Sequence, residues 1–534
     1  MPLIDLRDFT SEAPIESDLC IIGSGPAGLS IAHEFGNTSV KVLVLESGGH
    51  IEENDTQALY DIESVGLPRV MEQRQVRNRI LGGSSHTWYG RCAPLEPIDY
   101  EIRDWVPYSG WPISHKDLQE YEHRANTILG LGSHDYGEAM RERFAIGSQQ
   151  ALNPALLRDQ FWQYSKVSNS NRQVPQFGRH RIPQNAPNID ILLHANVTHL
   201  SLDEAGSKVE SVNITTLDGK QALVKAKLFV LCCGGIENSR LLLASNHQRP
   251  NGLGNEHDLV GRFLMDHPGT VVGEFASLQD IYQVNRYFGE RWYYNEHGKH
   301  VYDHGIALSA ELQEKEGLLN CAAFLQPVED SGEPWKAIKK ARAALKGDAP
   351  ALSSLATGIR ATLTHPGRFV KGLSRQVQDK RPPVHAACLY ALVEQQPNPN
   401  SRVTLSKTKD RLGLPISQVN WQISEQEVRT VERLGELIGA EFSRLGIPQP
   451  ILHKHDHSAE SLRLEFRDRA HPTGTTRMSA TPRTGVVDVN CKLHTAEGLY
   501  VAGTSIFPTS SHVNPTFDII ALSIRLADHL KTFF

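Results

Sequence analysis

Three side chains near the C-terminal end of the sequence have the types and spacing for proton chemistry. His512 and Asn514 stand two positions apart in SSHVNPTF (510–517), with Pro515 and an apolar run behind them. His471 opens HPTGTTRM (471–478). An imidazole titrates near neutrality, so it can take a hydroxyl proton as a general base. An amide beside it can hold the same oxygen without competing for the proton. Taken alone, His512 also reads as a loop residue capping a backbone carbonyl, and His471 without its surrounding pattern is better read as a satisfied structural histidine. A histidine in front of Pro-Thr-Gly has the advantage of a stiff backbone, which suits a group that must be held still.

A second constellation lies at the other end. SDLCIIGSGPAGLSIAHEFGNTSVKVLVLESGG (17–49) sets Gly23, Gly25 and Gly28 in the G-x-G-x-x-G spacing. A short apolar strand, Leu19 to Ile22, precedes them, and a helix from Pro26 to about Phe35 follows. Val40 to Leu45 predicts the next strand, with Glu46 at its end. One glycine permits the tight turn, one lets the backbone approach a pyrophosphate, and one lets the helix close on the strand. The helix N-terminus offers free N–H groups and the positive end of its dipole to phosphates. Glu46 can accept from ribose hydroxyls. The pattern predicts a dinucleotide seat. It does not by itself separate FAD from NAD, and its N-terminal position favours FAD.

The elements that must complete and position such a site are spread along the chain. RILGGSSHTWYGRCAPL (79–95) is a loop in which Gly82 and Gly83 allow close backbone approach and Ser84 and Ser85 offer hydroxyls. KLFVLCCGGIENSRLLLAS (227–245) predicts a strand, a Gly-Gly turn and a helix returning to the same sheet. The stretch before it, with turn signals at Ala205-Gly206 and Asp218-Gly219, predicts a β-meander. GLYVAGTSIFPTSSHVNPTFDII (498–520) predicts a strand, Leu499 to Ala502, then a loop, then a helix from about Pro515 to Leu530. Proline is tolerated at the first helical position.

Together these stretches resemble the glucose–methanol–choline (GMC) family of FAD-dependent oxidoreductases. The resemblance is carried by Gly23, Gly25, Gly28 and Glu46, by GGSS (82–85), GGIENSRLLL (234–243), HPTGTTRM, GVVDVNCKLH (485–494) and GTSIFPTSSHVNP (503–515). These follow the family's order over nearly the whole chain. The NPT ending and EQQPNPNSRVTLS (394–406) are similar to the branch holding pyranose 2-oxidase and the large subunits of fructose and gluconate dehydrogenases.

The resemblance implies an α/β chain, α+β overall: a Rossmann-like FAD-binding domain with a β-meander, and a substrate-binding domain built on an antiparallel sheet covered by helices. It implies FAD held by Gly23, Gly25, Pro26, Ala27, Gly28, Glu46, Ser47, Gly82, Gly83, Ser84, Ser85, His86, Val197, Gly234, Gly503, Thr504, Asn514, Pro515 and Thr516. It implies oxidation of a CH–OH group of a sugar, glycoside or other alcohol, with His471 as base and Asn514 as hydrogen-bond partner. His512 stays open as the partner, because some relatives with a differently spaced ending have a histidine there. Some relatives also tether FAD through a histidine at the fourth residue after the second glycine. Here that residue is Thr87 and His86 falls one short, so FAD is expected to be non-covalent. The electron acceptor, whether O2, a quinone or a redox protein, is not written in the sequence. A flavin-containing lyase or decarboxylase on the same fold is the competing reading.

The resemblance also divides the chain. Residues 1–100, 190–270 and 466–534 are expected to form the FAD-binding domain, and 101–189 with 271–465 the substrate-binding domain. In the latter, HAACLYALVEQQ (385–396) and SRVTLS (401–406) predict strands of its sheet. SEQEVRTVERLGELIGAEFSRLGI (424–447) predicts an amphipathic helix opened by a Ser424/Glu427 capping box. A basic segment, about 334–381, is expected to be a helical insertion: solvated helices, a lid, or a docking surface, in that order.

The totals agree with an enzyme of this size. A chain of 534 residues exceeds one hydrophobic core, and 40% hydrophobic with 22% charged residues is ordinary for a soluble globular protein. A net charge of −6 gives no sign of a nucleic-acid partner. The seven cysteines lack framework spacing and are expected to be reduced and buried. The start, MPLIDLRDF, shows no secretory signal, and no apolar stretch is long enough to span a bilayer. A cytoplasmic location without membrane association is expected. Neither HDLVGRFLMDHP (257–268) nor HKHDHS (453–458) has closed-site ligand spacing, so no metal is expected.

Overall fold

Strand β2 (Ile15–Ile22) is the spine of the first sheet, and its last four residues are buried on both faces, as a parallel strand between two layers requires. The computed structural model describes residues 3–11, 13–69, 71–146, 151–167, 174–183, 185–328, 386–455, 458 and 465–534. The basic segment 334–381 and part of HKHDHS lie outside the described residues.

Parallel pairing runs from β1 (Leu3–Asp5) through β7 (Ile189–Leu193), β3 (Val42–Leu45) and β2 to β10 (Gln221–Leu231), and ends on β19 (Leu499–Val501). β10 is long enough to serve twice. Its first half pairs antiparallel with β9 (Val209–Thr215), itself paired with β8 (Asn196–Leu202), and its last three residues lie against β19. The meander turns at Gly206 and Gly219, both left-handed, as expected. The helix Pro26–Glu34 packs on the helix Thr516–Lys531, which packs in turn on Gln119–Leu129. Pro515 caps the C-terminal helix rather than opening it, one position from the expectation.

The second sheet is antiparallel throughout. Its order is β18 (Ile451–Leu452), β11 (Gly269–Glu274), β15 (Ala387–Val393), β14 (Cys321–Pro327), β13 (Gly298–Leu308), β6 (Leu157–Tyr164) and β5 (Arg91–Cys92), with β12 (Glu290–Asn295) also on β13. Alternation gives its two faces different work. Leu389, Ala391 and Val393 pack under the helix Glu425–Arg444, whose Val428, Val431, Leu434 and Ile438 are fully buried. That helix opens with the expected capping box, the Ser424 amide donating to Glu427 Oε2 at 2.8 Å. Register places Trp162, Phe324 and Tyr390 on the opposite face, where Trp162 joins the core of the first sheet.

SRVTLS does not join this sheet. It forms β16 (Arg402–Lys409), paired with β17 (Pro415–Asn420), which lies parallel to β4 (Ile62–Ser64) in a separate three-stranded sheet. The physical reason is its own small core: Val403 packs with Val419, Trp421, Ile236 and Leu264. All seven cysteines are unpaired, and Cys232 and Cys233 follow β10 rather than lying within it. Among the described residues no helix is long and apolar enough to cross a membrane, and no group of side chains could hold a metal ion.

Candidate active site

The nucleotide seat is built from glycines of two kinds. Gly23 has φ +107°, and a Cβ there would fall 2.6 Å from the Cys232 carbonyl oxygen. A Cβ on Gly28 would fall 1.9 Å from the Gly23 carbonyl, so only glycine lets the helix Pro26–Glu34 close on β2. Gly25, Gly234 and Gly503 are the other kind: a Cβ on any of them would meet no protein atom within 4 Å. Their backbone faces open space. Gly25 caps the helix, Pro26 opens it, and Ala27 and Gly28 carry first-turn amides that the helix itself does not use. Open glycine faces beside free amides fit a dinucleotide phosphate.

Gly82 and Gly83 meet this seat from a distant part of the chain. A Cβ on Gly83 would come 2.9 Å from the Gly25 Cα, and one on Gly82 would come 2.2 Å from the Gly178 amide nitrogen. Ser24 joins the two loops, its hydroxyl donating to Glu46 at 2.5 Å and accepting from the Gly82 amide at 3.1 Å. Glu46 also accepts from the amides of Gly48 at 2.8 Å and Ser24 at 3.2 Å, with the Ser47 hydroxyl at 3.3 Å. The carboxylate expected to meet a ribose is therefore also the clamp on both glycine loops. Ser85 shapes its loop by donating to the Gly82 carbonyl and accepting from the Phe177 amide, and Ser84 accepts from the Asn78 amide. His86 Nε2 lies 3.0 Å from the Leu81 carbonyl. Val197 is half-buried in β8, next to a bulge. Ser24 and Gly178 were not legible as part of the seat.

HPTGTTRM is strapped between two other segments. On one side the amides of Gly474, Thr476 and Met478 donate to the carbonyls of Thr504, Ser505 and Ile506 at 3.1, 2.8 and 2.7 Å. On the other, Thr473 and Met265 exchange both backbone bonds, at 2.9 and 3.1 Å. Thr504 also donates to the Pro472 carbonyl at 2.6 Å. Asn238 fixes the far end by donating to the Ala502 carbonyl and to Ser505.

These straps bring His471 beside His267, with the two Nδ1 atoms 3.0 Å apart. His267 Nε2 lies 3.0 Å from the Ser510 carbonyl, which fastens the loop carrying His512 and Asn514 to the same cluster. Below the rings, the Asp266 carboxylate takes the backbone amides of His267, Arg469 and His471 and pairs with Arg69, which also reaches Asp468 at 3.1 Å. Burial opposes ionisation of Asp266, but the Arg69 guanidinium first, and the backbone amide of Arg469, hold its carboxyl below the usual range. Burial, and then His267, push the His471 imidazole down to about 3, so it is a neutral base at physiological pH.

Asn514 is partly exposed, and its Oδ1 has no hydrogen-bond partner among the described residues. Pro515 and Thr516 follow at the start of the last helix. His512 is fully buried, edge-on to Trp162 at 6.0 Å between ring centres, with neither ring nitrogen bonded among the described residues. Facing this loop, the second sheet offers an aromatic floor. Arg91 stacks over Trp162 and Phe324 at 3.9 and 3.8 Å, and Arg469 stacks over Tyr390 at 4.2 Å. His267 and its partner aspartate stand in HDLVGRFLMDHP, a stretch with no closed-site metal spacing to mark it. The available signal was the repeated dipeptide, His267-Pro268 and His471-Pro472.

The comparisons agree with this architecture. Two family models described as GMC oxidoreductase match the chain, one over residues 177–269 and the other over 397–523. The chain is 24% identical to the fructose dehydrogenase large subunit of Gluconobacter japonicus, covering 97% of this chain and 98% of that one. It is 23% identical to 2-methyl-1,2-propanediol dehydrogenase of Mycolicibacterium austroafricanum, covering 97% and 96%. Among solved structures, pyridoxine 4-oxidase from Mesorbium loti superposes with a TM-score of 0.56 at 17% identity, covering 97% of this chain and 99% of that one. Formate oxidase of Aspergillus oryzae gives 0.55 at 18% identity, covering 98% and 99%.

Proposed function

The chain belongs to the GMC oxidoreductase family, FAD-dependent enzymes acting on CH–OH groups of alcohols and sugars, and from that premise we propose that it oxidises a sugar or polyol-like alcohol with His471 as base and Asn514 as partner. The observation that carries the reading is the state of His471: a neutral, half-buried imidazole whose Nδ1 lies 3.0 Å from His267 and whose backbone is held by Asp266. Bound FAD supplies the two-electron acceptor for the C–H hydride, held without a covalent bond. His471 takes the hydroxyl proton as the carbonyl forms. Asn514 holds the same oxygen through its amide and lends no proton acceptor strong enough to compete. The N-terminus of the helix Thr516–Lys531 puts a positive dipole end beside that amide, which favours developing negative charge there. His512 is less suited to the partner role, since its ring is sealed against Trp162.

Relatives named for fructose and for 2-methyl-1,2-propanediol support sugars and small polyols as the first compounds to try. The test is anaerobic mixing of the yellow holoenzyme with D-fructose, D-glucose, methyl glucoside, 2-methyl-1,2-propanediol and benzyl alcohol. Bleaching by a sugar or polyol supports the reading, and bleaching by benzyl alcohol alone would move it to aromatic alcohols. Recolouring in air then separates O2 from a quinone or a redox protein as acceptor. Product formed with no bleaching would point instead to a lyase. His471→Ala is expected to slow bleaching by about a hundredfold or more while FAD stays bound.

A further inference from the structure

We propose that His267 is a positioning residue: the Ser510 carbonyl, His267 and His471 form a hydrogen-bonded chain that fixes His471 as its Nδ1–H tautomer and leaves Nε2 as the proton-accepting nitrogen. The inference rests on the reading of His471 as base.

The reasoning is a count of donors and acceptors. A backbone carbonyl can only accept, so the ring nitrogen 3.0 Å from Ser510 O, His267 Nε2, carries a proton. A neutral imidazole has one such proton, so Nδ1 of His267 is bare and can only accept. Its neighbour at 3.0 Å is His471 Nδ1, which must then be the donor. The single proton of neutral His471 is thereby placed on Nδ1, and its lone pair lies on Nε2, across the ring from His267.

Both rings are neutral. Burial lowers the pKa of His267, and burial with His267 beside it takes His471 down to about 3. The charged groups around the pair do not offer a second choice. Asp266 is occupied by Arg69 and by three backbone amides, Asp468 lies on Arg69, and Arg469 stacks on Tyr390. Among the described residues no other polar atom bonds the His471 ring. When a substrate hydroxyl gives up its proton, the O–H bond breaks as the Nε2–H bond forms. His471 becomes an imidazolium whose Nδ1–H still points to His267. The same imidazole in the opposite tautomer would present an N–H to the substrate and could take nothing from it.

The first test needs no substrate. Nitrogen NMR spectra of histidine-labelled holoenzyme, with the His471 ring signals assigned by their loss in His471→Asn, are expected to show Nδ1 protonated and Nε2 bare. A proton on Nε2 overturns the proposal. The second test is kinetic, with whichever alcohol of the panel above bleaches the flavin fastest. His267→Leu keeps bulk and removes the acceptor, and is expected to slow bleaching at saturating alcohol about tenfold, with little change in apparent affinity. His267→Asn, which returns an amide oxygen near the Nδ1 position, is expected to recover most of that rate. Equal slowing by both variants points to packing and overturns the relay. Should His267→Leu fail to retain FAD, the wild-type spectra and the Asn variant decide. If His471→Ala bleaches at the wild-type rate, the base reading falls while the tautomer result stands. If His471→Ala is slow and His267→Leu is not, the base stands and the relay falls.

Discussion

The Asp266 carboxylate holds the backbone of His471 and leaves its ring alone: the His471 amide lies 3.1 Å from each carboxylate oxygen. Asp266 and Arg69 are both sealed from solvent, so the pair is a buried ion pair whose partners depend on each other. Asp266→Asn keeps the shape and removes the charge, leaving Arg69 with Asp468. The expected cost is about 3 kcal/mol of stability, read as a lower urea midpoint. Flavin bleaching should slow as well, because the strap that places His471 is loosened. An unchanged midpoint would show that Asp468 alone satisfies Arg69.

The two kinds of glycine predict two kinds of failure. Gly28→Ala puts a methyl group 1.9 Å from the Gly23 carbonyl, so the helix cannot close on β2 and little folded protein is expected. Gly25→Ala meets no protein atom within 4 Å and has an ordinary extended backbone, φ −69°. It should fold with an unchanged circular dichroism spectrum and lose FAD. Full retention of FAD by Gly25→Ala would mean that the open face of Gly25 is not the phosphate side of the seat.

How far the sequence reaches is visible in these same residues. Gly23, Gly25, Gly28 and Glu46 were legible because their partners lie within one strand–helix–strand unit. The meander and the capping box of Ser424 and Glu427 were legible for the same reason, being local. His267 was not, because what defines it is a hydrogen bond to a residue 204 positions away. The clamp made by Ser24, Glu46 and Gly82 is equally non-local, and SRVTLS carries strand propensity that does not say which sheet it joins.

His512 should make the enzyme acid-sensitive. Burial first, then Arg158, His267 and Arg91, hold its pKa well below the ordinary imidazole value. In the unfolded chain the same ring takes up a proton near pH 6.5. The unfolded state therefore binds more protons below that pH, and stability falls as the solution is acidified, by up to about 1.4 kcal/mol per pH unit for one such group. His512→Leu should narrow the gap between the holoenzyme melting temperatures at pH 5 and pH 7. At pH 7 the change should be small, since no hydrogen bond is lost. An unaltered gap would place the acid sensitivity elsewhere, and a strong fall in bleaching would restore His512 as the rival of Asn514.

Acid precipitation of the holoenzyme should release the yellow colour into the supernatant. His86, the one histidine of the second glycine loop, turns Nε2 onto the Leu81 carbonyl 3.0 Å away. Colour retained in the pellet would make His86 the first tether to replace.

β19 closes the first sheet against the last three residues of β10, although the segments between them in sequence build most of the second sheet and of the small one. During synthesis the strands from β1 to β10 leave the ribosome long before that partner does. Meanwhile the end of β10 stands as a bare edge on which nascent chains could pair with one another. The Thr504–Ile506 strap and the last helix arrive later still, so the His471 segment waits without its second strap. Stalled chains that stop short of Leu499 should take up no FAD and should call on chaperones, which makes the supply of holoenzyme a matter of protected translation as much as of sequence.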